Sequence, residues 1–192
     1  MTDHLGQTTE YRYDKMGNLL EIEDFDNNVT TYDYDFRYRL KTIVDANEGA
    51  SQGTTSFTYY DNGLLDRFTD PVGNTTTYVY DNLNRLLGET NELLQTRSFT
   101  YDAVGNLLSK TDREGRLTEY VYDPLYRLTT EKWKDGSTVL HTISYAYDAA
   151  SQLTSAGDSD STLQYTYDEL GRIETVTSTG RRYPGRGAHV QL

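Results

Sequence analysis

Few side chains in this sequence could carry out chemistry, and they do not form a recognisable site. The histidines His4, His141 and His189 lie in unrelated contexts without the spacing of metal ligands, and there is no cysteine. We interpret them as solvated loop histidines. The sequence has no Ser-His-Asp order, no Gly-x-Ser-x-Gly motif and no phosphate-binding glycine loop. It therefore predicts a protein that is not an enzyme and that uses no cofactor or metal.

Two acidic stretches have the density of oxygen atoms that calcium requires: residues 24–28 (DFDNN) and 158–161 (DSDS). Neither has the spaced carboxylates and closing glutamate of a calcium-binding loop. Aspartate is also common in turns, because its side chain can accept hydrogen bonds from nearby backbone amides. We therefore interpret both stretches as turns.

The charge of the chain excludes several classes of partner. Eighteen basic and thirty acidic residues give a formal charge of −12, and no basic cluster precedes Arg181. Nucleic acids need clustered Lys and Arg, and sulfated polysaccharides and anionic lipids are repelled by the same sign of charge. The sequence has no apolar run long enough for a membrane span, and residues 1–14 lack the features of a signal peptide.

Tyrosine is the most informative residue type. Only 35% of the residues are hydrophobic, but eighteen are tyrosine. In residues 75–81 (TTTYVYD), Tyr78 and Tyr80 lie two positions apart, which places both rings on one face of a β-strand. We expect tyrosine to supply the core that aliphatic residues do not.

These tyrosines belong to a repeat. A Tyr-Asp pair occurs eight times, from Tyr13 to Asp168, at intervals of 20 to 26 residues. The pair ends a strand and begins an Asp-x-x-Gly turn in which glycine takes a positive φ. Asn84 suits that position, whereas Tyr38, Tyr126 and Ser151 suit it less well. A second strand follows, and its first residues include Leu19, Leu40, Leu64, Leu86, Leu107, Leu128, Leu153 and Ile173.

A second turn leads to the next hairpin, most clearly at residues 70–78 and 112–120. Two longer intervals predict that extra residues at 45–56 and 134–144 enlarge this turn. The third repeat is predicted to be shortened, with Asn62-Gly63 as a two-residue hairpin turn. The residues that define the repeat are structural rather than catalytic: Tyr13, Asp14, Gly17, Tyr34, Asp35, Tyr60, Asp61, Gly63, Asp70, Gly73, Tyr78, Tyr80, Asp81, Tyr101, Asp102, Gly105, Asp112, Gly115, Tyr122, Asp123, Tyr147, Asp148, Tyr167, Asp168 and Gly171.

The predicted fold class is all-β, with tandem antiparallel hairpins forming a continuous, curved and spiralling sheet. A helical interpretation fails because apolar residues do not recur at three and four positions. One hairpin cannot bury its aromatic face alone, so neighbouring hairpins must pair. A propeller is the alternative fold, because two repeats approach the length of a four-stranded blade.

With its Tyr-Asp pairs, Asp-x-x-Gly turns and period near 21 residues, the sequence resembles the YD-repeat or Rhs (rearrangement hotspot) family over roughly residues 2–177. The resemblance implies a β-sheet shell that, in bacterial toxins, encloses a C-terminal effector domain. Toxin members also end in a segment with an aspartate-based self-cleavage. Asp70-Pro71-Val72-Gly73 is a tempting match to that chemistry, but it occupies an ordinary second turn.

The resemblance implies a structural wall segment of an encapsulating shell, as in polymorphic-toxin or cell-surface proteins. The expected domains are about eight repeats over residues 2–177 and a basic non-repeat tail over 178–192 with Arg181, Arg182 and Arg186. Expected partners are further repeats of a larger, secreted or cell-surface protein and an enclosed effector. The alternative function is carbohydrate binding or adhesion, with a neutral glycan stacked on the tyrosines. We expect the chain to be a piece of a larger protein.

Overall fold

The computed structural model describes residues 2, 6–46 and 53–180 of the chain. These residues form sixteen β-strands and no helix, so none of them belongs to a helix that could cross a membrane. The chain divides into two compact units, residues 1–96 and 97–192. The predicted tail of residues 178–192 is corrected at its start, because residues 178–180 belong to the last strand; the rest of it, with its arginines, lies outside the described residues, as do His4 and His189.

The first unit is an antiparallel sheet in which each strand pairs with the next one in the sequence. Its eight strands are β1 (Glu10–Tyr13), β2 (Leu19–Glu23), β3 (Val29–Tyr34), β4 (Leu40–Val44), β5 (Thr54–Tyr59), β6 (Leu65–Thr69), β7 (Thr75–Tyr80) and β8 (Leu86–Thr90).

The second unit is built in the same way from the next eight strands. These are β9 (Thr96–Tyr101), β10 (Leu107–Thr111), β11 (Leu117–Tyr122), β12 (Leu128–Asp135), β13 (Thr138–Tyr147), β14 (Leu153–Gly157), β15 (Ser161–Tyr167) and β16 (Ile173–Gly180). The predicted class, all-β with tandem antiparallel hairpins, is confirmed, and within each unit the hairpins form a continuous sheet.

Nearly all turns share one design, whether they lie within a repeat or between repeats. In the turn after β1, the amide of Asp14 donates to the carbonyl of Asn18, and the amide of Gly17 donates to the carbonyl of Asp14. This is a three-residue hairpin loop, a type I turn followed by one residue with positive φ. Twelve turns in the described residues have this pair of hydrogen bonds.

The positive-φ position accepts residues other than glycine. Six turns have glycine there, and the other six have Asn27, Tyr38, Asn84, Leu94, Tyr126 or Ser151, with φ between 59° and 65°. Tyr38, Tyr126 and Ser151 therefore adopt a positive φ, although the sequence predicts that these residue types fit this position less well than glycine. Each keeps the same hydrogen bonds as the glycine turns.

A β-bulge lies at the same place in all eight hairpins. In the first hairpin Tyr13 pairs with Leu19, but Arg12 pairs with Glu21, so Leu20 is the extra residue. A bulge resets the alternation of side chains along a strand. Leu19 and Ile22, three positions apart, consequently lie on the same face as the tyrosines.

The third hairpin corrects the predicted register. The loop runs from Tyr60 to Leu64, with the same hydrogen bonds as the other turns, and Tyr59 pairs with Leu65. The prediction of a shortened repeat with a two-residue Asn62-Gly63 turn is therefore wrong. Tyr59 ends the strand, and Tyr60 occupies the position that aspartate has elsewhere, so Tyr60 and Asp61 are not the equivalents of the other Tyr-Asp pairs.

The insertion at residues 134–144 is also different from its prediction. The extra residues do not enlarge a turn; they lengthen β12 and β13 to eight and ten residues, and the strands are joined by a two-residue turn at Gly136 and Ser137. Most of the other insertion, at 45–56, lies outside the described residues, but the amide of Asp45 donates to the carbonyl of Gly53 and closes that loop.

The sheet has no buried apolar core. None of the described apolar side chains is fully buried. Among the described polar and charged residues, Glu89 in β8 is the buried one, with 8% of its surface exposed. Tyrosines such as Tyr78 and Tyr80 are half-buried on one face. The expectation that tyrosine supplies a core is therefore corrected: tyrosine forms a half-buried face on a single layer of strands.

Leu94 provides a test of the turn design. Its φ of 59° is strained for leucine, and its side chain is 84% exposed. A left-handed residue costs about 1–2 kcal/mol unless it is glycine, which loses about 0.5–1 kcal/mol of additional chain entropy. We expect Leu94→Gly to raise the free energy of unfolding by about 0.5–1 kcal/mol in urea denaturation.

The matched control is Leu93→Gly in the same turn. Leu93 is also exposed but has no positive φ to relieve. We expect this change to lower the free energy of unfolding by about 0.5 kcal/mol. Equal effects of the two substitutions would contradict the proposed role of position 94.

Candidate functional site

The repeated feature of this protein is the junction at which one hairpin meets the next. It combines an aspartate in the turn, a tyrosine at the end of the next hairpin's first strand and, in some repeats, an arginine after the turn. Among the described residues, no group of three or more His, Asp or Glu side chains is arranged to hold a metal ion. The repeated junction is the candidate functional element.

The turn aspartate caps its own loop. Oδ1 of Asp81 accepts the amides of Leu83 and Arg85 at 2.8 and 3.0 Å, and its Oδ2 accepts Nε of Arg85 at 2.7 Å. The repeat-defining aspartates that cap turns in this way are Asp14, Asp35, Asp70, Asp81, Asp102, Asp112, Asp123 and Asp168, and Oδ1 of Asp148 accepts the amide of Gln152. Asn91 does the same with its amide oxygen.

These hydrogen bonds favour the ionised carboxylate. The side chain of Asn18 and then its amide lower the pKa of Asp14, and the amide of Arg85 makes the largest contribution to lowering the pKa of Asp81. At Asp102, desolvation acts in the opposite direction, but the bonds from Asn106 and the loop amides outweigh it, and the pKa is lowered. Ten turn aspartates have a lowered pKa: Asp14, Asp24, Asp35, Asp70, Asp81, Asp102, Asp112, Asp123, Asp158 and Asp168.

At five junctions the tyrosine fastens a hairpin to the preceding one. The hydroxyl of Tyr34 donates to the carbonyl of Leu19 at 2.9 Å, across the intervening turn. The same bond, at 2.8–3.0 Å, joins Tyr59 to Leu40, Tyr122 to Leu107, Tyr147 to Leu128 and Tyr167 to Leu153. The acceptor in each case is the leucine that begins the second strand of the preceding hairpin. The tyrosine is thus a hydrogen-bond donor between repeats as well as an apolar ring.

Arginine strengthens the junction in two repeats. Nε of Arg39 donates to Asp35, Nη1 donates to the carbonyl of Tyr60 at 3.0 Å, and the guanidinium lies 4.6 Å from the ring centroid of Tyr59. Such a contact adds a cation–π interaction to the hydrogen bonds.

Arg127 makes the equivalent set of contacts in the second unit. It bonds Asp123 and the carbonyl of Asp148, and it lies 4.9 Å from the ring of Tyr147. The side chains of Arg39 and Arg127 are each only 22% exposed. One arginine therefore joins the cap of its own turn to the ring and backbone of the next repeat.

Sequence reasoning missed this role of arginine and the leucine carbonyls. The signal for the arginine is present, since Arg39, Arg85, Arg127 and Arg172 each follow a turn aspartate by four residues. The carbonyl acceptors leave no trace in the sequence, because every residue has one.

The acidic stretches and His141 have structural roles. Asp24 and Asp158 cap turns, and so does Asp70 in the Asp-Pro-Val-Gly segment. His141 does not lie in a loop, so that interpretation is wrong: it lies in β13, its ring centroid is 4.9 Å from that of Trp133, and its Nε2 is 3.2 Å from Asp158.

Comparison with known proteins agrees with this architecture. The RHS Repeat family model matches residues 59–93, 101–138 and 147–183, together more than half of the chain. No curated protein sequence matches the chain.

Several solved structures contain the same fold. The crystal structure of TcdB2-TccC3-Cdc42 has a TM-score of 0.70 at 20% identity, over 87% of this chain and 10% of that chain. The crystal structure of TcdB2-TccC3 has a TM-score of 0.66 at 20% identity, over 94% and 13%. The Photorhabdus luminescens Tc holotoxin pore has a TM-score of 0.58 at 18% identity, over 88% and 12%. This chain thus spans about a tenth of the length of each of these three chains.

The tyrosine junction can be tested by removing one hydroxyl. We expect Tyr34→Phe to lower the free energy of unfolding by about 1 kcal/mol, because the hydrogen bond to Leu19 is lost while the ring remains. Tyr32→Phe, on the same face of the same strand, is the control, with an expected change below about 0.5 kcal/mol. Urea denaturation measures both. If both substitutions lowered the free energy of unfolding equally, the hydroxyl of Tyr34 would have no special role.

The aspartate caps predict sensitivity to acid. A carboxyl whose pKa is lower in the folded chain stabilises the fold above its unfolded pKa of about 3.9, and this stabilisation is lost as the pH falls through the lower folded pKa. We expect the melting temperature to be insensitive to these groups above about pH 5 and to fall below about pH 4.

Amide chemical shifts provide the control for that experiment. The amide of Arg85 donates to the carboxylate of Asp81, and the amide of Gln95 donates to Asn91, which has no proton to gain in this range. We expect only the chemical shift of the Arg85 amide to change with pH below about pH 4, before the protein unfolds. If the chemical shifts of the Arg85 and Gln95 amides changed together, local capping by aspartate would not be the cause of the acid sensitivity.

Proposed function

Because the chain belongs to the RHS repeat family, we propose that it is a wall segment of an encapsulating shell, part of a larger toxin-type protein, without catalysis of its own. The observation that carries this proposal is the junction between hairpins. The same tyrosine-to-carbonyl hydrogen bond recurs five times in the described residues. A contact of this kind extends a sheet by one hairpin and leaves the same acceptor for the next one.

A one-layer sheet suits a wall. Paired strands are separated by about 4.8 Å, so each two-strand repeat adds about 10 Å to the width of the sheet. Since the fold needs no second layer, the wall grows with the number of repeats and not with the size of a core. The half-buried tyrosine face and the opposite face, with exposed residues such as Val79 and Val121, are its two surfaces.

The proposed partners are further repeats of a longer chain and an effector domain that the shell encloses. Two observations support this: the strand edges at β1 and β16, and the likeness to structures of TcdB2-TccC3 whose chains are several times longer. We place the larger protein outside the producing cell or at its surface. The likeness to a Tc holotoxin pore supports that location.

The alternative is carbohydrate binding or adhesion through the tyrosine face. Its supporting observation is that the rings are half-buried and not fully buried. The hydroxyls of Tyr34, Tyr59 and Tyr122, however, already donate to leucine carbonyls and are not available as donors to a sugar. The wall therefore has the stronger support. A titration with neutral glycans, followed by tyrosine fluorescence, should show no saturable binding, and saturable binding would favour the alternative.

The wall proposal predicts self-association of this chain. Among the described strands, β1 pairs only with β2, and β16 pairs only with β15. An unpaired strand edge is a template for another strand. We expect light scattering to show association that increases with concentration, and a stable monomer over the whole range would contradict the prediction.

A charge on the edge strand should reduce this association. Val176→Lys places a lysine on β16, where the valine is 44% exposed. Val79→Lys makes the same change at a 52% exposed position on β7, which is paired on both sides. We expect only the first substitution to favour the monomer.

A further inference from the structure

The hairpin of β12 and β13 departs from the repeat in one respect that the wall does not explain. β12 and β13 have eight and ten residues. In the same unit, β9, β10, β11, β14 and β15 have only five to seven residues. The two strands pair with each other as far as Asp135 and Thr138, next to the turn. The hairpin thus extends beyond the second turn of the following repeat, at Asp158–Ser161.

This extension leaves a free strand edge within the second unit. β13 pairs with β12 along Thr138–Ser144, but its pairing with β14 begins only at Ser144, opposite Gly157. Residues 138–143 therefore have a strand on one side only. On the other side of the hairpin, β12 pairs with β11 up to Lys134, so no comparable edge exists there. In a strand, the backbone groups of alternate residues point to such an edge and are available for pairing.

A groove lies alongside the free edge. One wall contains Val139, Leu140 and His141 from β13, and the other contains Gly157 and Asp158 from the end of β14 and the following turn. Its volume is about 560 Å³. Binding sites for ligands typically measure about 300–1,000 Å³, so the groove has room for several residues of an extended peptide.

We propose that the free edge of β13 binds an extended, basic peptide segment, which adds to the sheet as a further strand. Backbone pairing at a free edge supplies affinity, and the side chains that face the groove supply specificity. Leu140 and Val139 are 65% and 47% exposed and offer apolar contacts. Asp158 lines the groove, where its Oδ2 lies 3.2 Å from Nε2 of His141, and Asp160 is a second carboxylate of the same turn; both offer negative charge to lysine or arginine side chains.

Charge also decides against a second copy of this chain as the occupant. Two copies that paired through this edge would bring together two sets of the same aspartates, Asp158 and Asp160. Like charges that face each other across an interface oppose binding, whereas a basic strand is complementary to this groove.

The chain contains its own reporter of binding. Trp133 is its single tryptophan, and the ring centroid lies 4.9 Å from that of His141, which lines the groove. The probe is the six-residue peptide acetyl-Lys-Val-Lys-Val-Lys-Val-amide, which matches the length of the edge, and the control peptide replaces each lysine with glutamate. Titration of the full chain is followed by tryptophan fluorescence and by hydrogen exchange of the amides of residues 138–143.

Two variants test the position of the peptide. Leu140→Lys places a positive charge on the free edge, and Leu108→Lys makes the same change at another exposed leucine that is also the extra residue of a bulge, on β10. We expect saturable binding of the lysine peptide, slower exchange of residues 138–143, and affinity reduced by about tenfold or more in Leu140→Lys and by less than about twofold in Leu108→Lys. The glutamate peptide should bind at least about tenfold more weakly.

Three outcomes would overturn the proposal. The first is the absence of saturable binding by the wild-type chain, and the second is equal binding of the two peptides or an equal effect of the two variants. The third is a dimer in light scattering that Leu140→Lys abolishes and the lysine peptide does not displace. That result would assign the edge to a second copy of the chain.

Discussion

A sheet with one layer has no interior, and this constraint explains the other features of the structure. In most domains, stability comes from apolar side chains that are removed from water on both sides. Here none of the described apolar side chains is fully buried. The hairpins are held instead by ladder hydrogen bonds, in most cases by an aspartate that caps the turn, and in five cases by a tyrosine hydroxyl that reaches the preceding hairpin. Polar contacts at the ends of the strands therefore contribute stability that a buried core contributes in other domains.

The junction also explains where the length of the repeat is allowed to vary. Tyr34 and Tyr122 lie fifteen residues after their leucine acceptors, whereas Tyr59 and Tyr147 lie nineteen residues after theirs, and the hydrogen bonds are equivalent. The four additional residues lie at the opposite end from the junction: between β4 and β5 in one case, and within the lengthened strands β12 and β13 in the other. Insertions there change the chain length and leave the contact unchanged. The long β12–β13 hairpin is one such insertion, and its free edge arises because the neighbouring repeat has no matching extension.

Much of this fold could be predicted from the sequence, because the turns have local signatures. Aspartate followed three residues later by glycine marks a turn wherever it occurs, and alternating tyrosines mark a strand. The register of the third hairpin could not be predicted in this way, since Tyr59 and Tyr60 are adjacent and either could end the strand. The position of Gly63 with positive φ decides it, because the loop must begin three residues earlier, at Tyr60. The absence of a core and the carbonyl acceptors depend on tertiary geometry, which the local pattern does not encode.

The structure explains a difference between the two aromatic positions of the repeat. The second position is tyrosine in all eight copies, once Tyr59 is assigned to the third, whereas the first is phenylalanine in two of them, at Phe57 and Phe99. Rings at the first position pair with partners as different as Ile22 and Glu89, and phenylalanine fills this position in two repeats without a hydroxyl. At five second positions the ring also carries a hydroxyl that donates to a backbone carbonyl. Phenylalanine could supply the area but not the donor, so the requirement for tyrosine follows from the contact between repeats and not from hydrophobicity.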